Sequence, residues 1–323
     1  MERVVITAIA LAVPAFVYSW LVQTIDRYEK EPVRYLLGAF AWGAVPAIVL
    51  ALIAQIILSV PIASVLGAQT FESQLTQAAI AAPVTEEIVK GMAVWFLYLK
   101  RRHEFDGWVD GIVYGAMAGF GFAYVENIFY LLSKTSTWEE WLSLYVVRAI
   151  VFGGLHGFWT ALVGIGFGIA RYRHDTRLKV GAIALGLIFA IAGHLIHNGA
   201  ISMIQITSGA TLPIALFNYF ILAIVMLLLW FVAGYLDRRR LRLGLKEEVP
   251  SVISPRDYDA LCSIRSNRWE LVGMNPRQRR AFVQAAAELA QKKMQLRTMG
   301  DEEGNQLEIA RLRDELQQLG DRA

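Results

Sequence analysis

Ionisable and amide side chains interrupt the long apolar stretches of this sequence. They are Glu86, Glu87 and Lys90 in one stretch, Glu126 and Asn127 in the next, His156 in a third, and His194 with Asn198 in a fourth. A charged residue at the centre of a membrane-spanning helix costs about 2.5–3.5 kcal/mol, so such residues commonly belong to functional sites. A buried carboxylate can accept a proton from water, and an imidazole can orient that water or bind a metal. These residue types therefore indicate hydrolysis of a peptide bond within the membrane.

The spacing of these residues suggests how they are arranged. Glu86 and Lys90 are four residues apart, so they lie on one face of a helix and can form an ion pair. Glu87 points about 100° away from Glu86, so one glutamate can be held by the lysine while the other stays free. His194 and Asn198 also share a face, where they can stabilise an oxyanion or where the histidine can bind a metal.

The composition excludes a water-soluble enzyme. Of the 323 residues, 56% are hydrophobic and 18% are charged, and the mean hydropathy is +0.43. More than half of the charged residues follow residue 236, which divides the chain into a transmembrane protease-like domain (1–236) and a cytosolic helical tail (237–323). The net charge is +3, but the sign of the charge varies with the position of the loop and forms no basic stripe, so nucleic acid is not an expected partner. Cys262 is the only cysteine, which excludes a disulfide framework and a cysteine-based metal site.

A helix needs ~20 residues to cross the ~30 Å hydrocarbon layer, and seven apolar runs are of this length. They cover residues 4–25, 35–58, 77–99, 109–132, 146–170, 180–206 and 212–236. Glycines in these runs fall largely at intervals of three or four, which is typical of close helix packing. They are Gly115, Gly119, Gly121, Gly153, Gly157, Gly164 and Gly168. The expected fold is all-α, a polytopic membrane protein of about seven transmembrane helices with a small cytosolic helical region.

Lysine and arginine are distributed unevenly between the two sides of these runs. Fifteen lie on one side, and three lie on the other, namely Arg3, Lys134 and Arg148. Because cytoplasmic loops are rich in lysine and arginine, we expect a cell-membrane protein with its amino terminus outside and its carboxyl terminus in the cytoplasm. Arg148 lies near the outer end of its run, where we expect it to snorkel to the interface.

The tail after about residue 245 has a helical pattern. Asn275 and Pro276 have the form of a helix start, with asparagine as the cap and proline at the first helical position. Apolar residues at spacings of three and four continue on both sides of a breaker stretch, 299–305. This pattern predicts a helical hairpin with an accessory role, such as self-association through its two helices.

The polar membrane residues, taken in chain order, resemble the motifs of a known family. The motifs are Glu86-Glu87-x-x-Lys90, Phe122-x-x-x-Glu126-Asn127, His156, and Gly193-His194-x-x-x-Asn198. Over about residues 30–236 this set resembles the PrsW family of intramembrane proteases, itself similar to the broader CAAX-processing type II superfamily. The resemblance implies an all-helical membrane peptidase, often treated as a metallopeptidase, with a role in bacteria in site-1 cleavage of membrane anti-sigma factors.

The resemblance also implies roles for individual residues. Either Glu86 or Glu87 is the general base, and His194 with Asn198 stabilises the oxyanion. The spacing, rather than the resemblance, gives Lys90 the role of a supporting ion-pair partner.

The second motif departs from the wider superfamily, which has histidine where this chain has Glu126. The role of positioning water therefore falls to Glu126 or His156. A metal site, with zinc as the expected divalent ion, would draw its ligands from Glu87, Glu126, His156 and His194. No His-Glu-x-x-His motif is present, so the sequence leaves the requirement for a metal open.

Two other classes of protein stay open. Membrane carboxylates and histidines also form relays in proton- or cation-coupled transporters, although no repeated halves are found in this sequence. A non-catalytic scaffold that recruits partners through its hairpin has no need of buried glutamates. We favour an intramembrane endopeptidase that cuts a single-span protein near the outer leaflet, with membrane lipid and that substrate as its partners.

Overall fold

The computed structural model describes residues 1–26, 28, 30–102, 104–263, 274–301 and 304–320. Two charged residues of the first predicted cytoplasmic loop, Arg27 and Glu29, lie outside the described residues, as do Glu302 and Glu303 of the breaker stretch. The regular structure in the described part is helical throughout.

Ten helices precede the tail. They are α1 (Glu2–Val22), α2 (Val33–Trp42), α3 (Ile48–Leu66), α4 (Phe71–Thr76), α5 (Ala82–Lys100), α6 (Trp108–Ser133), α7 (Trp138–Tyr145), α8 (Leu155–Arg171), α9 (Thr176–Ser202) and α10 (Leu212–Leu245). Three wider turns of π-helix accompany them: π1 (Gly43–Ala47) joins α2 to α3, π2 (Gln77–Ala81) joins α4 to α5, and π3 (Val146–Val151) follows α7. A 3₁₀ turn (Lys246–Glu248) and the helices α11 (Pro255–Cys262), α12 (Pro276–Met299) and α13 (Asn305–Gly320) complete the chain.

Each of the seven predicted runs coincides with a helical segment. Among the described residues, six segments are long and apolar enough to cross a membrane. The seventh run, at 77–99, forms π2 and α5, and the charges of Glu86, Glu87 and Lys90 set it apart from those six. The protein is therefore an all-α polytopic membrane protein, as the composition predicts.

The chain divides into two compact units. The membrane unit comprises Met1–Thr24 and Glu31–Leu227, and the C-terminal unit comprises Ile25–Lys30 and Leu228–Ala323. The predicted division at residue 236 marks the end of the last apolar run rather than a packing boundary, and it stays a prediction.

Glycines set the helix spacing inside the membrane unit, as the sequence predicts. Gly111 of α6 and Gly164 of α8 face each other so closely that a methyl group on either would overlap the other's carbonyl. A methyl group on Gly119 would likewise overlap the carbonyl oxygen of His156. Small residues allow two helix backbones to come into contact. The α6–α8 contact consequently fixes the position of His156 along α6.

The C-terminal unit contains the predicted hairpin. The Asn275 side chain accepts hydrogen bonds of 3.0 Å from the backbone amides of Arg277 and Gln278, which confirms the predicted cap of α12. Gly300 ends this helix with a φ of 77°, a conformation that glycine adopts without strain. Apolar side chains of α12 and α13, including Leu289 and Leu312, share one core.

Candidate active site

Four helices of the membrane unit bring the predicted site residues together. Glu86, Glu87 and Lys90 come from α5, Glu126 from α6, His156 from α8, and His194 with Asn198 from α9. Two of these helices follow a π segment, π2 before α5 and π3 before α8. A π turn changes the angular register of the helix that follows, and such turns are frequent at functional sites.

Glu87 is the most fully engaged of the carboxylates. It has no exposed surface, and its Oε1 lies 2.5 Å from Lys90 Nζ and 2.9 Å from His194 Nδ1. Thr160 of α8 donates a hydrogen bond of 3.0 Å to the Oε2 atom. Both oxygens of Glu87 are thus satisfied by groups from three helices, and this side chain acts as a hub that orients its neighbours.

Glu86 has a different environment, although it is the next residue along α5. Its Oε1 accepts a hydrogen bond of 3.3 Å from Gln55 Nε2. Its buried Oε2 makes no hydrogen bond within the described part of the chain, and both Lys90 Nζ and His194 Nε2 lie 3.9 Å from it. The expected pairing of Glu86 with Lys90 is therefore present only at long range. The lysine is closest to Glu87, at spacing i,i+3, and of the two α5 glutamates Glu86 is the one that lines the cavity beside α3.

His194 is held on two sides. Its ring stacks on Trp159, with ring centroids 4.0 Å apart and an interplanar angle of 11°. Because a carboxylate can only accept, the Nδ1 atom beside Glu87 carries the proton in the neutral ring, and Nε2 presents its lone pair toward Glu86. A histidine oriented in this way is suited to hold water or a metal ion.

His156 bridges the two halves of the cluster. Lys90 Nζ lies 3.1 Å from its Nδ1 atom, and Glu126 Oε2 lies 3.1 Å from its Nε2 atom. Since an ammonium group can only donate, Nδ1 accepts and the Nε2–H of the neutral ring faces the glutamate. Its ring also packs edge-on against His194, with centroids 5.1 Å apart.

Arg148 belongs to this cluster, contrary to the expectation that it snorkels to the interface. Its guanidinium donates to Glu126 Oε2 over 2.6 Å and to Asn127 Oδ1 over 2.7 Å, and it lies over the ring of Tyr130. The physical reason is that π3 carries the arginine beside α6, where a carboxylate offers more stabilisation than the interface does. Glu126 is accordingly shared between Arg148 and His156.

Three glutamates face two cations in this cluster. With both histidines neutral and every carboxylate ionised, Lys90 and Arg148 leave one negative charge uncompensated. Burying an unpaired charge is costly, so either a proton or a bound cation balances it.

A group of metal-ligating atoms lies at the same place. Ligand atoms of Glu86, His156 and His194 all lie within 4.8 Å of one another. Two imidazoles and one carboxylate form a donor set found in catalytic zinc sites, and the unpartnered Oε2 of Glu86 fits such a role. The geometry thus favours Glu86 where the sequence singles out Glu87, because the oxygens of Glu87 are already engaged.

Two cavities open onto the cluster. The first, of about 430 Å³, is lined by Glu86 and by side chains of α3 and π2, and the second, of about 380 Å³, is lined by His156 and His194. Glu126 and Asn198 line both cavities. Asn198 donates a hydrogen bond of 3.1 Å to the carbonyl oxygen of Ala78, which leaves the second hydrogen of its amide for a ligand.

Three residues of the site are missing from the sequence-based set. Gln55 had a signal, since it is the only amide in the apolar span that contains α3. Thr160 had a weaker one, since it lies four residues after His156 and therefore on the same face of α8. Trp159 had none, because an aromatic residue in an apolar helix is usually core.

These features define a class, the polytopic α-helical membrane proteins with a buried centre of carboxylates and imidazoles beside internal cavities. The family model described as PrsW family intramembrane metalloprotease matches residues 31–232. The chain belongs to this family.

Individual relatives agree with the family match. The chain is 30% identical over 147 residues to "Protease PrsW" of Geobacillus kaustophilus, an alignment that covers 46% of this chain and 59% of the relative. It is 29% identical to the protein of the same name from Bacillus subtilis, over 50% of this chain and 67% of the relative. For the Oceanobacillus iheyensis protein, also named "Protease PrsW", the identity is 26% over 74% of this chain and 96% of the relative. No solved structure gives a significant match.

Proposed function

We propose that the protein is an intramembrane endopeptidase that hydrolyses a peptide bond of a membrane-anchored, single-span protein. The observation that carries this proposal is the Glu86 carboxylate, which faces the first cavity with one buried oxygen unpartnered beside His194 and Lys90. Family membership supports the same activity.

Glu86 is the proposed general base. The residue lines a cavity, and its buried Oε2 atom is not occupied by a protein donor, so the carboxylate can hold and deprotonate a water molecule. Glu87 has a supporting role, because it fixes Lys90 and the tautomer of His194. Lys90 keeps a positive charge 3.9 Å from Glu86, which stabilises the carboxylate between turnovers.

Asn198 is the proposed oxyanion donor. The neutral His194 directs an acceptor atom toward Glu86, which suits it to orient the attacking water rather than to donate to an oxyanion. The amide of Asn198 lines both cavities and retains a donor hydrogen. Donors that are fixed in advance stabilise the developing negative charge without reorganisation.

Glu86, His156 and His194 are the residues that would hold a divalent metal, with zinc as the candidate. In that form Glu86 would serve as a ligand instead of as the general base. When bound, such an ion lowers the pKa of a water ligand and polarises a carbonyl group. Glu87 would then orient His194 through its Nδ1 atom, as outer carboxylates do for metal-binding histidines. Glu126 would act on His156 through its Nε2 atom in the same way, so the metal would replace the hydrogen bond from Lys90 at Nδ1.

The substrate and the orientation are part of the proposal. A bacterial membrane anti-sigma factor fits the substrate class, on the strength of the family resemblance. The charge bias of fifteen to three supports an external amino terminus and a cytoplasmic carboxyl terminus. In that orientation the polar centre is nearer to the outer surface.

A cleavage assay in proteoliposomes tests the proposal. The purified protein is reconstituted with a panel of labelled single-span peptides that includes anti-sigma factor spans. We expect the wild type to cleave at least one, Glu86→Gln to lose about 10²–10⁴-fold in rate, and Glu72→Gln, an exposed glutamate in α4, to keep full rate. Bound zinc, measured by mass spectrometry, is expected to fall in Glu86→Gln and His194→Ala alone.

Full cleavage by a folded Glu86→Gln variant would remove that residue from the site. Cation or proton flux without cleavage, sensitive to the same substitution, would favour a transporter instead. Zinc content that is equal in all variants would contradict the metal site and leave the peptidase standing.

A further inference from the structure

Three glutamine side chains line the first cavity beside Glu86. Gln55 comes from α3, Gln74 from α4 and Gln77 from π2. Gln55 is notable because its neighbours on the helix, Ile53 and Ile56, are 50% and 67% exposed, as expected for a helix that faces lipid. An amide in such a helix is costly unless it has polar partners inside the protein or in a ligand.

These amides are only partly used by the protein. Gln55 donates through Nε2 to Glu86 and Thr85, and Gln77 donates through Nε2 to Ser73.

Within the described residues, the Gln74 side chain makes no hydrogen bond, and no donor reaches the Oε1 atom of any of the three glutamines. Each of these three residues lines the cavity and therefore brings to it an acceptor that no protein donor occupies. Gln55, Gln74 and Gln77 form one wall of the cavity, and a ligand that fits must supply N–H donors at this wall.

A transmembrane substrate supplies such donors only when it unwinds. In an intact helix every backbone N–H inside the apolar layer is bonded to a carbonyl of the same helix. Opening the helix so that a carbonyl carbon becomes accessible leaves N–H groups unpaired, and each unpaired group costs several kcal/mol in an apolar medium. Acceptors placed beside the base would offset this cost.

The wall between the glutamines is built from small residues. Ala78, Ala81 and Ala82, from π2 and the start of α5, line the same cavity. Methyl side chains let another backbone approach closely, and Gln74 and Gln77 are three residues apart, on one face of the turn. The wall thus combines close approach with hydrogen-bond acceptors, as a strand-like ligand requires.

We infer that the first cavity is the subsite for the unwound main chain of a single-span substrate, whose backbone N–H groups donate to Gln74 and Gln77. This inference rests on the proposed peptidase function. Gln55 completes the wall and also contacts the base, so the test uses the other two glutamines.

A double-mutant cycle between enzyme and substrate backbone tests the inference. The probe is a labelled synthetic single-span peptide that the wild type cleaves, in which one amide at a time near the scissile bond is replaced by an ester, which removes a single N–H donor. We expect Gln77→Leu, or Gln74→Leu, to lower kcat/KM about tenfold, and the matching ester to do the same, since one hydrogen bond contributes about 0.5–1.5 kcal/mol. The two changes together should also cost about tenfold, because both remove the same bond.

The control is Gln69→Leu, a glutamine in the exposed loop before α4, which should leave every ester effect unchanged. Gln74 is exposed, so its variant folds even if Gln77→Leu does not. Losses that multiply to about a hundredfold at every ester position, or glutamine variants without any loss, would overturn the subsite and leave the peptidase intact. A wild type that cleaves none of the peptides would overturn both.

Discussion

Adjacent glutamates on α5 have different environments because one helical step separates their side chains. The turn of about 100° between neighbouring residues directs Glu87 toward Lys90, His194 and Thr160, and leaves Glu86 at the cavity. A carboxylate with both oxygens engaged orients other groups, whereas one with an unpartnered oxygen can bind water or metal. Under the proposed function, the two adjacent glutamates supply an orienting group and a reactive group from one turn of helix.

Substitution of Arg148 tests whether charge balance stabilises the site. Replacing it with methionine leaves Glu126 without its closest cation, and removing one partner of a buried pair costs about 3–5 kcal/mol. The two side chains are 25% and 18% exposed, so we expect a smaller loss, about 1–3 kcal/mol, together with slower cleavage as His156 loses a fixed partner. Thermal unfolding in detergent and the cleavage assay measure the two effects.

The double variant Arg148→Met with Glu126→Gln supplies the decisive comparison. It removes the additional negative charge that Arg148→Met leaves unpaired and restores the charge balance of the wild type, so we expect most of the stability to return while activity stays low. Arg177→Met, at an exposed arginine, should change stability by less than about 0.5 kcal/mol. If the single and double variants are equally unstable, the arginine stabilises through packing on Tyr130 rather than through the glutamate.

The members of this cluster could be read from the sequence, but their pairing could not. Buried ionisable residues in apolar runs are costly, which is why Glu86, His156 and His194 can be predicted to serve one site. The choice between Glu86 and Glu87 as the partner of Lys90 depends on rotamers and on Thr160 of another helix. The contact of Arg148 with Glu126 depends on how π3 sets its helix against α6, which no local pattern specifies.

For the helices, too, the sequence predicts the features that depend on local residues but not those that depend on packing between helices. Apolar runs fix where the spans lie, and Asn275 with Pro276 fixes the start of α12, because both signals are local. The π turns in three of the spans follow from packing between helices, so the helical period of about 3.6 residues does not predict them. Side chains that follow π2 or π3 consequently face other directions than a regular helix would give them.

The contact of α6 with α8 leads to a prediction about glycine. In Gly119→Ala the added methyl group overlaps the His156 carbonyl, so the helices must move apart. Overpacking of this kind typically costs about 1–3 kcal/mol, and it also displaces His156 from Lys90 and Glu126. We expect lower thermal stability and a loss of cleavage in the same variant.

Gly181→Ala is the matched control, because nothing lies within 4 Å of a methyl group at that position of α9. Alanine favours a helix over glycine by up to about 1 kcal/mol, so this variant should be as stable as the wild type or slightly more stable. Equal behaviour of the two variants would show that α6 and α8 tolerate separation and that the glycine contact does not position the histidine.

At the scale of the whole molecule, one part of the chain is adapted to lipid and another part to water. The spans of the membrane unit present large apolar side chains on their outer surface, as Ile56 and Phe217 illustrate, whereas ionisable side chains such as Glu87 and Lys90 are buried. The C-terminal unit has the opposite arrangement, with Leu289 and Leu316 inside. Its buried carboxylate Glu248 is paired with Lys293 and Arg313. The difference in composition along the sequence therefore reflects a difference in which surface meets water or lipid.

The charge bias predicts on which side of the membrane each part lies, and single cysteines can test it. In a Cys262→Ser background, cysteine replaces Gln69 in the loop between α3 and α4, or Arg256 in the tail, both exposed positions. If loops rich in lysine and arginine face the cytoplasm, an impermeant maleimide should label Gln69→Cys in intact cells and Arg256→Cys only after permeabilisation. Labelling of both from the same side would mean an even number of spans between them, against the five that the predicted runs place there. Labelling with the sides exchanged would keep the span count but put the polar centre nearer to the cytoplasm, and the substrate would then be cut at the inner leaflet.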